Sequence, residues 1–403
     1  MATNANNASG RNTNRRTAGK KKNNQNLKIV IFIIEILIII AMLVVVWKVW
    51  DTTNNSEGPK TVEQESMNIQ INPGLTTPVD KVTPGEGIEI DPNAGTEVVD
   101  PPKVLEYWNI ALFGLDAVND SQLYKGSRSD SIMIASIDKK TGDIKLVSIY
   151  RDTYMNIGND KYTKCNAAYS KGGAEQAINM LNMNLDMNIT DFVAVGYPAL
   201  IDCINELGGV WINVDKEELK HINNYQQSII RDIDSVSDKD YVKVTEAGYQ
   251  LLNGLQASAY CRIRQTAGDD FKRAERQREV IKAMVEKAQD ADLDTLLSIV
   301  KVVAPNVYTT FSTSDTNEMT ELLKNINNYR IVDEGGFPNE DLRTTANVGG
   351  DGSCVIPLDL EKNVVWLHEF LFGEEAYKVT NEVKECSEMV EAKTSKYINK
   401  VSN

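Results

Sequence analysis

Two histidines, His221 and His368, are all that the 403 residues contain. A site with three or more histidine ligands is therefore excluded, and Ser-His or Cys-His nucleophilic systems are nearly excluded by inventory. Cysteine is also sparse. Cys165, Cys203, Cys261, Cys354 and Cys386 follow no zinc spacing, and an odd count leaves at least one unpaired or marks a reducing environment. Pairing among Cys165, Cys203 and Cys261 stays open on the sequence. No repeat with a period of about 20 to 50 residues runs along the chain. With 42% hydrophobic and 25% charged residues, the chain is neither wholly disordered nor collagen-like, and it can build a sizeable core.

Acid is scarce at one end. The formal charge is -14, yet residues 1–28 hold seven Lys or Arg and no acid, so they carry +7. The 36 basic and 57 acidic residues that follow leave -21. Such asymmetry marks contact with a membrane or with nucleic acid. The next stretch decides between them: Ile29 to Trp47 is 19 residues with one charge, Glu35, roughly enough helix to cross a hydrocarbon core of about 30 Å. A cleavable signal would have a shorter apolar core and a small-residue cleavage site. Residues 29–50 are thus expected to form an uncleaved single-pass anchor in the cell membrane, with the basic arm cytoplasmic and about 350 residues outside. Glu35 is read as snorkelling or protonated, and the arm as an orientation signal near anionic headgroups.

Seven of the eleven prolines fall between Asp51 and Lys103, mixed with Thr, Glu and Gly. This composition predicts a semi-extended linker over residues 51–103. Beyond it, WNIALFGLD, SIMIASID and IKLVSIYRD read as strands, with Thr141-Gly142 as the turn between the last two. A helix from Gly172, a strand at ITDFVAVGY, a helix from Pro198 closed by Gly and the strand VWINV follow. Alternation of strands and helices predicts an α/β domain over residues 104–290, with a central mixed β-sheet flanked by helices. A helix is expected from about Lys272 to Asp290. Residues 291–375 are expected to form an extension packed on the core: helices around a break at Pro305, a loop-rich DEGGFPNEDLRTTANVGGDGS and a final helix near Leu358. Residues 376–403 are expected to be a polar, fraying tail.

Arginine is concentrated. Five of the ten beyond residue 50 (Arg262, Arg264, Arg273, Arg276 and Arg278) lie within 17 residues. Arg262 and Arg264 share a face if extended, and Arg273, Arg276 and Gln277 are expected to share one helical face near an N-terminus. Guanidinium forks suit phosphate oxygens, so pyrophosphate or phosphodiester binding is the sharp reading. A solvated face balanced by Asp269, Asp270, Glu275 and Glu279 is the plain one. Carboxylates and arginines also gather at strand ends: Asp116, Arg128 with Asp130, and Arg151 with Asp152. Two carboxylates beside arginines suit a divalent ion bridging phosphates, although such carboxylates often serve only turns and salt bridges.

The ordered series GLD, RSDSIMIASID, SIYRDTY, KCNAAYSKGG, ELGGVWINV, LLNGLQASAYCRIR and DDFKRAERQR resembles the LytR-CpsA-Psr family of bacterial cell-wall proteins, over about Trp108 to Gln289. The basic arm, single span and external domain are similar to that family's layout. The resemblance implies Asp116 and Asp130 as carboxylates associated with Mg²⁺ or Mn²⁺, and Arg128, Arg151, Arg262, Arg264, Arg273, Arg276 and Gln277 as pyrophosphate-binding. It also implies Arg151, with Asp152 beside it, as catalytic; Asp152 or Asp270 is the expected proton acceptor. Tyr150 stands where the family has Pro before Arg-Asp. GLDAVND lacks the arginine that often follows the first Asp, which implies either a weaker phosphate contact or its shift to Lys125 or Arg128.

What the resemblance implies is a membrane-anchored phosphotransferase, acting mainly by electrostatics. It moves a glycopolymer from a polyprenyl-pyrophosphate carrier onto peptidoglycan and forms a phosphodiester. The partners expected are that lipid-linked polymer, peptidoglycan and membrane lipid, with no nucleic acid. An apolar groove for the prenyl chain is implied between sheet and helices. A non-catalytic polyprenyl-phosphate or wall-binding module is the alternative. Gene regulation fails on topology, because the cytoplasmic part is an arm of 28 residues.

Overall fold

Strand alternation resolves into two buried sheet faces. The computed structural model describes residues 60–75, 102–117, 121–264, 269–289 and 330–398, with short pieces between 291 and 311. Its strands are β1 (Lys60–Thr61), β2 (Tyr107–Leu115), β3 (Ser129–Asp138), β4 (Asp143–Ile149), β5 (Tyr154–Asn156), β6 (Tyr162–Lys164), β7 (Asp191–Val195), β8 (Val210–Val214), β9 (Gly248–Leu252), β10 (Val307–Thr309), β11 (Arg330–Phe337), β12 (Arg343–Asn347) and β13 (Ser353–Pro357). The principal helices are α1 (Ala167–Leu185), α2 (Tyr197–Glu206), α3 (Glu218–Asp232), α4 (Gly254–Cys261), α5 (Asp269–Gln289), α6 (Leu360–Phe372) and α7 (Asn381–Ile398).

Seven strands form one sheet in the order β1-β10-β7-β2-β3-β4-β11. It is mixed, as expected: β2 pairs antiparallel with β3 and parallel with β7, and β11 runs parallel to β4. Ile110, Ala135, Ile137, Leu146 and Val193 point to one face, packed with α2, α3, α4 and α5 through Ile201, Ile222, Leu255 and Val280. Ala111, Phe113, Ile134, Val147 and Phe192 point to the other, packed with α1, α6 and α7 through Ile178, Leu367 and Val383. The period of two along each strand sends neighbours to opposite cores. The turn at Thr141-Gly142 forms, with Gly142 at φ 74°.

Helix α1 begins before the expected Gly172 and is broken at Gly172 and Gly173. A side chain at Gly173 would lie 2.4 Å from the Tyr124 carbonyl oxygen, so close approach of two backbones fixes that residue as glycine. VWINV forms β8 outside the central sheet, paired with β9 in a ribbon. Only alternate residues of β8 are buried, a pattern suited to one covered face, whereas a strand between two helical layers is apolar throughout.

Three expectations are corrected. Within the stretch expected to be linker, residues 60–75 are a structured strap. After β1 they run along α1, where the Asn179 carboxamide binds both Gln70 N, at 2.7 Å, and Asn68 O, at 2.9 Å. Asn182 donates to Gln70 O at 3.1 Å, so side-chain amides three apart on a helix replace the missing sheet partners. The loop-rich stretch contains β11, which forms the sheet edge beside β4, and the β12–β13 hairpin. Gly335 and Gly336 read as a turn, but β4 satisfies their backbone groups, whereas Gly349, Gly350 and Gly352 do form the turn of the hairpin. The polar tail forms α7, which buries Val383, Cys386, Val390 and Thr394. This stripe three, four and seven apart is narrow, and charges surround it.

All five cysteines are free, and all but Cys203 are buried. The basic arm, the expected span with Glu35, and residues 51–59 and 76–101 of the expected linker lie outside the described residues. Among those described, no helix is long and apolar enough to cross a membrane. Val383→Ala is expected to cost roughly 2 kcal/mol through the cavity it leaves, read as a lower urea midpoint. An unchanged midpoint would show that α7 frays after all.

Candidate active site

An irregularity in the sheet creates the site. Gly114 pairs with Ser131 and Leu115 with Ser129, which leaves Asp130 as the extra residue of a bulge. Bulges re-aim side chains. Asp130 Oδ1 bonds Arg151 Nη1, just beyond the end of β4. Its Oδ2 lies 3.4 Å from Arg264 Nη2 and 3.9 Å from Arg273 Nη1, while Arg273 Nη2 also donates to the Asp130 carbonyl oxygen at 3.4 Å. Three guanidinium groups distant in sequence thus meet one carboxylate.

A second arginine position adjoins the first. Arg262 closes α4, and its guanidinium lies over the rings of Tyr197 and Tyr225, at 4.9 and 5.8 Å from their centres. It is 3.9 Å from both Asp116 Oδ1 and Asp232 Oδ2. Partial burial, and then the nearby charge of Asp130, raise the Asp116 carboxyl above its ordinary value of 3.8, against the pull of Arg262 and Arg151. Burial likewise pushes the Tyr197 phenol up, so it stays a neutral wall beside the charges.

Helix α5 does not present its polar residues on one face. Arg273 and Gln277 face the site, lining a small pocket with Asp130, Ser131 and Arg151. Arg276 turns away: its Nε donates to Glu218 Oε1 at 2.6 Å and its Nη1 to the Ile263 carbonyl oxygen at 3.2 Å. Both charges of that pair are buried, with 6% exposure each. The expectation that Arg276 shares a face with Arg273 and Gln277 is thereby corrected, since it falls about 100° from Gln277 around the helix axis. Arg278 bonds Ser148 Oγ at 3.0 Å. Arg128 is exposed, its carbonyl oxygen accepting from Asp116 N at 3.1 Å. Asp152 lies 3.2 Å from Lys164 Nζ and 3.5 Å from Arg151 Nε, outside the pocket linings described. Asp270 sits in the first turn of α5, and its side chain lies outside the described residues.

Behind the charges opens an apolar cavity of about 210 Å³. Leu112, Met133, Leu146 and Val193 from one sheet face form its floor, with Leu200 and Cys203 of α2 and Val280, Ile281 and Met284 of α5 as walls. Asp130, Ser131 and Gln277 line its polar end. Burial raises the thiols of Cys203 and Cys261, which also line it, to about 12. They are apolar lining at neutral pH, unsuited to nucleophilic work.

Several contributors escaped sequence reasoning. Glu218 and Asp232 lie on α3, more than 25 residues from the Arg276 and Arg262 they meet, so nothing in the sequence announces either pairing. Tyr150 packs on Phe271 with ring centres 4.7 Å apart, and Arg343 lies over both rings, 4.9 and 4.1 Å away. Gly336 makes room, since a Cβ there would lie 2.2 Å from the Tyr150 hydroxyl. The Tyr150 departure thus anchors the start of α5, two residues before Arg273.

The model of the LytR_cpsA_psr family matches residues 74–347. A Bacillus subtilis relative, polyisoprenyl-teichoic acid–peptidoglycan teichoic acid transferase TagV, is 29% identical over 267 residues, 64% of this chain and 60% of its own. The transferase of the same description named TagU, from Enterococcus faecalis, is 30% identical over 217 residues, 53% of this chain and 65% of its own. The chain thus spans less than two thirds of the length of these relatives. Among solved structures, protein gbs0355 from Streptococcus agalactiae shares the fold with a TM-score of 0.54 at 24% identity, covering 68% of this chain and 90% of that one.

Arg276→Ala leaves Glu218 charged and buried, so it is expected to cost about 3 to 5 kcal/mol of stability. The double variant Arg276→Ala, Glu218→Ala should recover much of that loss in denaturant titrations. Equal losses in both would mean that the pair is not what holds the charge. For Asp116 the sign is opposite to that of a paired carboxylate. A raised folded pKa adds stability below the unfolded value of 3.8 and loses it as pH rises through the folded value. Asp116→Asn is therefore expected to raise the thermal midpoint at neutral pH relative to its effect at pH 3; a lower midpoint at pH 7 would contradict this.

Proposed function

The chain belongs to the LytR_cpsA_psr family, and from that premise we propose that it transfers a glycopolymer from a polyprenyl-pyrophosphate carrier to peptidoglycan. The observation that carries this reading is a single continuous site. An apolar cavity between sheet and helices ends at Asp130, beside Arg151, Arg264 and Arg273. A ligand with a long hydrocarbon tail and an anionic head matches both ends. Burial of the tail supplies affinity at about 25 cal/mol per Å² of apolar surface, and the arginines meet the pyrophosphate.

In the transfer, an acceptor hydroxyl oxygen bonds to the phosphorus that carries the polymer. The bond from that phosphorus to the bridging oxygen breaks, and polyprenyl phosphate leaves. The hydroxyl loses its proton, while the guanidinium groups stabilise charge on the phosphoryl oxygens and on the leaving phosphate. Asp152 is engaged by Lys164, which argues against it as the acceptor of that proton and leaves Asp270 as the expected candidate. Tyr197 and the apolar walls exclude water that would otherwise hydrolyse the carrier.

The carboxylates fit a divalent ion, Mg²⁺ or Mn²⁺. Burial, and then the charge of Asp130, raise the Asp116 carboxyl, and a cation beside such groups would relieve the repulsion. Among the described residues no group of three or more His, Cys, Asp or Glu side chains is placed to hold a metal ion. Asp116 and Asp130 would therefore hold the ion together with substrate phosphate oxygens and water, as suits Mg²⁺. When bound, the ion would neutralise phosphoryl charge. A cytoplasmic N-terminus, a membrane span and an external domain complete the reading, supported by charge and hydropathy in the sequence.

The test uses the full chain in detergent micelles with lipid-linked polymer and peptidoglycan. Arg264→Ala, at a half-exposed position, is expected to keep the fold and lower transfer about 10²-fold or more. Leu200→Trp should fill the cavity and abolish carrier binding. Carrier binding without transfer in the native protein would point instead to a binding module. Unchanged transfer in both variants would overturn the assignment of the site. Chelation of divalent ions should stop transfer and added Mg²⁺ restore it; indifference to chelation would remove the metal from the reading.

A further inference from the structure

The far face of α5 borders a second site. Whereas Gln277, Val280 and Met284 face the cavity, Glu275, Arg276, Glu279 and Glu286 look onto an open cleft of about 520 Å³. Its opposite wall is the β8–β9 ribbon. There Trp211 and Tyr249 are 44% and 66% exposed, with ring centres 5.3 Å apart and planes 19° from parallel. Leu251, directly opposite Trp211 in the ribbon, is 44% exposed as well. Two large stacked rings this exposed to water leave an unmatched apolar surface, which marks a contact site.

The surrounding charge selects the occupant. Asp215, Glu217, Glu218, Glu275, Glu279 and Glu286 line the cleft against Lys272, Arg276 and Lys282, six carboxylates to three cations. Glu218 is bound by Arg276, Glu275 by Lys272 and Glu279 by the Tyr260 hydroxyl. Among the described residues no side chain pairs with the carboxylates of Asp215, Glu217 and Glu286, so they are left to accept hydrogen bonds from a ligand. A phosphate-rich polymer or an anionic lipid surface would be repelled.

We propose that this cleft binds a neutral saccharide chain. A pyranose ring offers a face of C–H groups to an aromatic plane and a rim of hydroxyl donors to carboxylates, the two surfaces found here. Resting on the transferase reading, the occupant is the acceptor glycan, held across a helix about 10 Å thick from the anion site. Sugars bound there lie remote from the reacting hydroxyl and orient it through the polymer chain.

The probe is chitotetraose, a neutral tetramer of an amino sugar, titrated into the full chain in micelles and followed by saturation-transfer NMR. Saturable binding is expected, weakened about tenfold or more by Trp211→Ala or by Tyr249→Ala. Both rings are exposed, so these variants should fold. Arg264→Ala and Leu200→Trp, which disable the anion site and the cavity, should bind the sugar normally. Failure of the transferase reading therefore leaves this result standing, and the reverse also holds. Absence of saturable binding, or equal affinity in Trp211→Ala, would overturn the proposal. So would Trp211-dependent binding to phosphatidylglycerol vesicles without sugar binding, which would make the patch a membrane contact.

Discussion

Everything at the candidate site depends on how Asp130 gathers like charges. Arg151, Arg264 and Arg273 come from the end of β4, the segment after α4 and the first turns of α5. At about 4 Å, two such charges repel by roughly 4 kcal/mol at an effective dielectric constant of 20. One carboxylate holds the three in place, and Arg151 also lies 3.5 Å from Asp152. Arg262 is balanced separately by Asp116 and Asp232. Four guanidinium groups thus stand at the polar end of an apolar cavity, a combination suited to an anionic lipid head.

Helix α5 converts that local arrangement into an architecture. One face carries Arg273 to the small pocket beside Asp130, and Gln277, Val280 and Met284 toward the cavity. The other is tied to α3 through the buried Arg276–Glu218 pair and borders the aromatic cleft. Its start is braced by Phe271 against Tyr150 and Arg343. Because Arg343 belongs to β12, the hairpin near the C-terminal end supports arginines more than sixty residues earlier. Residues in the 340s thus position a site whose recognisable motifs end near Gln289.

Chemistry by proton relay or thiol attack has little support in this frame. His368 is buried, and loss of hydration lowers its pKa to about 4, so it is a neutral ring stacked 3.6 Å from Tyr377. Cys203 and Cys261 lie in the cavity wall with thiols raised to about 12. What remains is fixed positive charge and positioning, which phosphoryl transfer uses well.

The alternating strands at Trp108, Ser131 and Ile144, the helix at Pro198 and the arginine-rich segment were legible in the sequence, because strand period, helix caps and charge density are local properties. The mixed central sheet followed from them. Tertiary contact decided the rest. Glycine-rich DEGGF became a sheet edge because β4 offered it hydrogen bonds, and the polar end became α7 because its few apolar residues align in one stripe. Spacing brought Arg273 and Gln277 to one face and set Arg276 about 100° from Gln277, but only the fold placed the buried carboxylate of Glu218 there to receive it. Sequence determines which groups exist and their local period; the burial of one charge beside another depends on residues far apart in the chain, and the folded structure alone brings those together.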